Sequence, residues 1–192
     1  MKRFVVIGLF CVAAASVAVY AQQSQRDGPR YNGTNLVRPL DYRDWTFLGS
    51  GLGLTYEAAA PNAAPRFTNV FVNPSSYRSF METGRWPNET IFVLESRRSD
   101  TNAAPNVGGR FQAEMLGLEA EVKDARFPDG WAFFNFGQAS ALSTAAAPLT
   151  GGAVSACVEC HSNHTAVERT FVQFYPTLLE VARRKGTLKP GF

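Results

Sequence analysis

Three segments in the middle of the chain alternate apolar and polar residues, as half-buried β-strands do. The three are residues 66–73, 90–96 and 131–136, all rich in β-branched and aromatic side chains. A fourth segment, residues 111–122, fits either a strand or a helix. We interpret it as a strand because Gly108 and Gly109 precede it and a turn at residues 127–130 follows it. This series predicts an antiparallel meander and is not typical of a four-helix bundle.

Helical patterns accompany these strands. Residues 74–84 have a helix start, an apolar face and a glycine stop. Residues 153–161 fit one or two helical turns, and residues 166–185 carry apolar side chains at helical spacing that Pro176 interrupts. The glycine-rich residues 49–53 lack the lysine of a nucleotide-binding loop and are interpreted as a turn. The pattern predicts an α+β domain with an antiparallel β-sheet core and flanking helices.

Length and composition fit one folded domain. Of the 192 residues, 45% are hydrophobic and 18% charged, which is sufficient for one sizeable core. The first residues have the form of a secretory signal, with Lys2 and Arg3 before an apolar run at residues 4–19 and a cleavage site after Ala21. An uncleaved membrane anchor is the alternative. We therefore predict a signal peptide at residues 1–21, a flexible leader at 22–35, a domain at 36–192 and a periplasmic location.

The predicted mature chain is close to neutral. Without Lys2 and Arg3 it has 17 basic and 16 acidic residues, so we expect no nucleic-acid partner. Only two cysteines, Cys157 and Cys160, remain after the signal, and a scaffold held by disulfides would need more.

Cys157, Cys160 and His161 form a C-x-x-C-H sequence, the attachment sequence of c-type haem. Two thiols on one helical turn can add to the two vinyl groups of a haem, and the next histidine can bind its iron. A disulfide, a thioredoxin-like redox pair and a zinc site that includes His164 are the alternatives. We predict one covalent haem c per chain, carried by a C-terminal haem-attachment helix, with His161 as the metal ligand.

The role of such a haem depends on its second axial position. Met81 and Met115 are the only methionines of the mature chain, and either would produce a His/Met electron carrier. His164 follows His161 by three residues on the same side of a helix and cannot easily reach the opposite face of the ring. If no strong side-chain ligand is present, the iron is five-coordinate and open to a small molecule.

Further segments match one family together with the C-x-x-C-H motif. They are residues 70–77, 83–84, 117–124, 126–127, 131–133 and 174–176. Taken in order over most of the mature domain, they resemble the cytochrome P-460 and cytochrome c-prime-beta family of β-rich, exported monohaem proteins. The resemblance implies His161 as the proximal ligand and an open distal face. It also implies a small gaseous or nitrogenous ligand, a redox partner protein and assembly into a homodimer.

In hydroxylamine-oxidising members of this family, a strand lysine is cross-linked to the haem. The matching position here is Leu94, and Lys123, Lys185 and Lys189 lie outside that strand. Because leucine cannot form this bond, the chain is more similar to the c-prime-beta branch, which binds nitric oxide under an apolar cap. Strand alternation places Phe92 on the same face as Leu94, so we predict that both contact the haem pocket. Ordinary sheet-core packing is the alternative for both.

Glu119 matches a carboxylate that family enzymes use for proton transfer, and a raised pKa in an apolar pocket would suit this catalytic role. An exposed strand glutamate is the alternative. Arg66 lies just before the strand where an enzyme arginine is expected, but the best register puts Thr68 there. Three functions are therefore open: a haem protein that binds nitric oxide or exchanges electrons, an oxidoreductase that acts on hydroxylamine or nitric oxide, and a His/Met electron carrier with Met81 or Met115 as ligand.

Overall fold

The computed structural model describes residues 27–55 and 64–192. The predicted signal peptide at residues 1–21 lies outside these residues. In the described part of the chain, no helix is both long enough and apolar enough to cross a membrane.

Eight strands and three α-helices make up the described residues. The strands are β1 (Tyr31–Asn32), β2 (Asn35–Val37), β3 (Thr46–Leu52), β4 (Arg66–Val72), β5 (Thr90–Asp100), β6 (Phe111–Lys123), β7 (Trp131–Gln138) and β8 (Ala145–Ala146). The helices are α1 (Pro74–Thr83), α2 (Gly151–Asn163) and α3 (Pro176–Lys185), with short 3₁₀ helices at Tyr42–Asp44, Ala139–Ala141 and Val172–Phe174.

The central sheet is an antiparallel meander in the order β3-β4-β5-β6-β7. Each strand pairs with its neighbour in sequence, as the alternating segments predicted. The 13-residue β6 confirms that residues 111–122 form a strand. β1, β2 and β8 form a small second sheet. Two antiparallel sheets with three α-helices confirm the predicted α+β fold.

Two local interpretations were wrong. The glycine-rich residues 49–53 are mostly strand, since Gly49 and Gly51 belong to β3. A side chain at Gly49 would start 3.3 Å from the ring of Tyr175, so glycine allows this aromatic residue to pack against the edge strand. Pro176 does not interrupt a helix but begins α3. Proline is tolerated there because an N–H group in the first turn has no acceptor within the helix.

The folded domain begins earlier than Leu36. Residues 27–35, expected to be a flexible leader, include β1 and the start of β2. The Asp27 carboxylate accepts hydrogen bonds from the backbone N–H of Ser75, at 2.8 Å, and from its hydroxyl. Ser75 lies in the first turn of α1, where N–H groups lack helical partners, so Asp27 caps this helix from a distance.

Helix α1 follows its sequence signals. It begins at Pro74, and Gly84 ends it in the left-handed conformation at φ 72°. Phe80 is fully buried and contacts Trp86 with a ring separation of 4.2 Å. The predicted helix at residues 74–84 is therefore confirmed.

The two faces of the central sheet belong to different apolar clusters. One face packs Ile91 and Val93 against Leu36, Tyr42 and Trp45 of the N-terminal part. The opposite face packs against α1 and α3, where the buried residues are Val72, Phe80, Trp86, Phe92, Leu178 and Val181. Because side chains alternate along a strand, β4, β5 and β7 each contribute to both clusters.

A buried carboxylate joins the first of these faces to the N-terminal part. Glu95 is only 2% exposed and accepts hydrogen bonds from Tyr42, Arg43, Asn69 and Arg97. Burial alone would raise the pKa of Glu95, but the hydrogen bonds from Tyr42, Arg97 and Arg43 lower it to about 2. A buried charge with this many donors stabilises the fold, whereas an unpaired one would destabilise it.

We expect Glu95→Gln to lower the free energy of unfolding near neutral pH by about 3 kcal/mol, because the charged acceptor is lost. A carboxyl with a depressed native pKa stabilises above its unfolded pKa of about 4.5 and loses this contribution as the pH falls toward 2. Urea unfolding of both proteins should therefore show a difference that shrinks in acid. A difference that stays constant with pH would contradict the assignment. Glu114→Gln, which removes an exposed carboxylate paired with Arg98, serves as the control with little expected effect.

Candidate functional site

Most of the residues singled out in the sequence lie around one cavity. The empty space of this cavity, which includes a part that is open to solvent, is about 680 Å³. Its lining includes Phe92, Leu94, Glu119, Cys157 and His161. These residues come from β5, β6 and α2, so the fold gathers them from distant parts of the sequence.

The sheet register builds one wall of the cavity. Phe92 pairs with Glu121, and Glu121 pairs with Phe133 on the next strand. In the adjacent row, Leu94 pairs with Glu119. Directly paired residues project from the same face, so two rows of side chains point to the same side of the sheet.

Helix α2 carries the C-x-x-C-H sequence. Cys160 and His161 follow Cys157 by three and four residues, which places both of them next to Cys157 on the helix surface. Cys157 and His161 line the cavity. Cys160 is half-buried and is not part of the lining. His164 ends the helix and is exposed.

The alternatives to haem attachment find less support. Both cysteines are free thiols. Burial raises the pKa of Cys157, with the nearby carboxyls of Glu119 and Glu121 adding to the effect, and burial also raises the pKa of Cys160. Redox-active cysteine pairs depend on a lowered thiol pKa. Among residues 27–55 and 64–192, no group of three or more histidine, cysteine or acidic side chains is placed to hold a metal ion such as zinc.

One hydrogen bond determines which nitrogen of His161 is available. Nδ1 lies 2.7 Å from the backbone oxygen of Arg169. A carbonyl oxygen can only accept, so Nδ1 carries the proton and Nε2 keeps the lone pair that a metal needs. The rings of Phe133 and Phe171 contact the imidazole edge-on at 4.9 and 4.8 Å. His161 is therefore oriented as a ligand by its surroundings.

A carboxyl group accompanies this hydrogen bond. Glu121 Oε1 lies 3.1 Å from the same Nδ1 atom of His161. Burial lowers the pKa of His161, but Glu121 and the Arg169 carbonyl more than offset that effect and raise it.

The turn after α2 presents the Arg169 carbonyl. Glu168 adopts the left-handed conformation, with φ 50°, and its side chain forms a 2.7 Å ion pair with Lys123 of β6. The hydroxyl of Thr165 donates to the Glu168 carbonyl and accepts a 2.8 Å hydrogen bond from Lys189. A strained backbone position held on several sides is typical of a functional site.

Phe92 and Leu94 form the apolar part of the cavity wall. Phe92 is buried and contacts Trp86 edge-on at 4.8 Å, and Leu94 is half-buried. None of Lys123, Lys185 and Lys189 lines the cavity, and Lys123 is engaged with Glu168 and the Trp86 carbonyl.

Both methionines considered as axial ligands lie elsewhere. Met115 is beside Tyr42 and Arg43 at the opposite face of the sheet, and Met81 packs with the cluster around α1 and α3. Neither contributes to the cavity lining. Arg66 is exposed at the start of β4 and is also absent from the lining.

Glu119 faces the cavity with an exposed side chain. Asn135 donates to its carboxyl at 3.2 Å, and the surrounding protein raises the pKa of Glu119 by desolvation. Its carboxyl is thus able to take up and release a proton nearer to neutral pH than an ordinary glutamate.

Several residues of the site were not among those predicted from the sequence. Alternation along β6 from Glu119 could have indicated Glu121, and the aromatic strand β7 contains Phe133. Nothing local in the sequence marks the Arg169 carbonyl or Phe171, because their place depends on the turn after α2. Val70, Leu149 and Tyr175 also line the cavity, and only the fold brings them there.

The site residues fit a covalently bound haem. α1 and α3 each bury three residues, but α2 buries none. Cys157 and His161 of α2 line the cavity, and Cys160 follows Cys157 by about one helical turn. The two free thiols, the oriented Nε2 atom and the largely apolar wall are the groups that such a cofactor requires.

Comparison with known proteins agrees with this site. A search of curated protein sequences gives no match. A family model, Cytochrome P460, matches residues 39–172, well over half of the chain, and the match includes the C-x-x-C-H sequence. Membership implies a haem cofactor and chemistry on small nitrogen-containing ligands. The chain belongs to the cytochrome P460 family.

Proposed function

We propose that this chain is a periplasmic c-type cytochrome that binds nitric oxide or a similar small ligand. Cys157 and Cys160 hold the haem covalently, and His161 binds its iron through Nε2. The observation that carries the proposal is the cavity in which an oriented His161 lies beside the apolar side chains of Phe92 and Leu94. Exchange of electrons with a redox partner protein and assembly into a homodimer are further parts of the proposal, based on the family resemblance.

The bound haem supplies an iron centre that binds small ligands and changes its oxidation state. The residues of the chain decide which ligands reach it. Phe92, Leu94 and Val70 present apolar surface to the cavity, which disfavours charged and strongly hydrated molecules. A neutral diatomic ligand loses little solvation when it enters such a space. This lining therefore favours nitric oxide over ionic nitrogen compounds.

The first test is the absorption spectrum of protein matured with the haem-attachment machinery, in ferric, ferrous and nitric-oxide-treated forms. We expect a high-spin haem c spectrum that nitric oxide changes, because neither Met81 nor Met115 lines the cavity. The double variant Cys157→Ala, Cys160→Ala should lose the haem on denaturation, whereas the wild type keeps it.

Two results would contradict the proposal. A six-coordinate low-spin spectrum that is lost when Met81 or Met115 is replaced would indicate an electron carrier. A strongly red-shifted ferrous Soret band would indicate a cross-linked haem and make hydroxylamine oxidation the leading function.

Phe92→Ala should speed the association of carbon monoxide and nitric oxide several-fold, because it removes a buried ring from the cavity wall. Flash photolysis and stopped-flow mixing measure these rates. Phe71→Ala is the control: Phe71 precedes Val72 on β4 and packs against Tyr42 on the opposite face, so its loss should affect stability but not ligand rates. Equal rates in wild type and Phe92→Ala would remove Phe92 from the ligand pocket.

Oxidation of hydroxylamine is the second candidate function, favoured by one observation. Glu119 offers a carboxyl with a raised pKa at the cavity, where a substrate with N–H protons would need an acceptor. The presence of Leu94 at the cross-link position argues against it.

We therefore expect no sustained hydroxylamine-dependent reduction of an added electron acceptor by the wild type. Sustained turnover that Glu119→Gln abolishes would contradict this and establish the enzyme, with Glu119 as its proton acceptor.

A further inference from the structure

Glu121 is a buried acid whose position the proposed function does not explain. Its side chain is 11% exposed and lies between Phe92 of β5 and Phe133 of β7, its direct cross-strand partners. The Oε1 atom is 3.1 Å from Nδ1 of His161 but receives no well-directed hydrogen bond from any described residue. Burying a carboxyl oxygen without a full hydrogen bond is unfavourable, so this placement calls for a reason.

The geometry at Nδ1 of His161 explains why Glu121 lies there. The N–H group points to the Arg169 carbonyl at 2.7 Å, and the Glu121 carboxyl lies beside this bond as a second acceptor. When a metal binds Nε2, it withdraws electrons from the ring, and the Nδ1–H group becomes a stronger donor. A nearby carboxyl then interacts more strongly with the ring than it does in the metal-free protein. The low exposure of Glu121 limits screening by water.

We propose that Glu121 is a positioning residue for the haem: together with the Arg169 carbonyl it holds the Nδ1 edge of His161 and increases electron donation from Nε2 to the iron. This inference rests on the part of the proposed function that makes His161 the haem ligand. It does not depend on which small ligand the protein binds.

The surroundings of Glu121 support this role over a purely structural one. Glu95, the other buried glutamate, has donors from four residues and connects parts of the fold. Among the residues that the structure describes, Glu121 has only the edge of His161 beside its carboxyl, with the charge of Arg169 in its neighbourhood. An acid that stabilised the fold would be expected to have donors of its own.

The test uses haem-loaded Glu121→Gln and two readouts. Resonance Raman spectra of the ferrous protein report the iron–histidine stretching frequency, and spectroelectrochemistry reports the reduction potential. We expect the frequency to shift downward and the potential to shift upward, because a neutral amide polarises the imidazole less and a weaker donor stabilises ferric iron less.

Glu119→Gln is the matched control. Glu119 lies two residues away on the same face of β6 and lines the same cavity, and it has no contact with His161 among the described hydrogen bonds and ion pairs. Loss of its charge can shift the potential, but it should leave the iron–histidine frequency in place. Equal frequency shifts in both variants, or none in Glu121→Gln, would overturn the inference.

A second variant keeps the inference testable if Glu121→Gln does not bind haem. Glu121→Asp keeps the acid but withdraws it by one methylene, so its frequency should lie below that of the wild type; an unchanged frequency would again overturn the inference. Absence of any iron–histidine band in a wild type whose ferrous haem is five-coordinate would overturn the proposed ligation and the inference together. A wild-type band that persists unchanged in the Glu121 variants would overturn the inference alone.

Discussion

The register between β5 and β6 determines both faces of the central sheet. It pairs Phe92 with Glu121 and Leu94 with Glu119 on the cavity face, while Val93 and Ala120 pair on the other. A slip by one residue would turn all of these side chains to the wrong side. The apolar cluster beneath Tyr42 and Trp45 resists such a slip because it fixes which residues of β5 must be buried. The core on one face therefore holds the functional residues of the other face in place.

The two buried glutamates show how differently the fold treats the same chemical group. Glu95 is surrounded by donors from the N-terminal part, β4 and its own strand, so its charge is part of the stability of the protein. Glu121 lies among aromatic rings with one imidazole edge beside it. The placement of Glu121 with few donors lowers the stability of the protein, and such a loss of stability is typical of a functional site.

The sequence carried enough information for the sheet, for α1 and for the family, because alternation, helix stops and the C-x-x-C-H spacing are local signals. It was misleading where a tertiary contact decided the outcome. Glycines at 49 and 51 suggest a turn, but both belong to a strand, where the ring of Tyr175 lies against Gly49 and the side chain of Leu54 lies against Gly51. Residues 27–35 look like a polar leader, yet Asp27 caps α1 across 48 residues of sequence. No sequence pattern predicts the role of the Arg169 carbonyl, because every residue has a backbone carbonyl whatever its side chain.

That carbonyl also shows why the attachment motif alone does not define the site. The motif supplies two thiols and an imidazole on one helix face, but an imidazole can rotate and can carry its proton on either nitrogen. The turn after α2 removes this freedom, because Lys123, Thr165 and Lys189 hold the segment that presents the Arg169 carbonyl. Since Lys123 also ends β6, the same strand carries Glu119, Glu121 and the anchor of the turn. The orientation of His161 is thus set by the sheet as much as by its own helix.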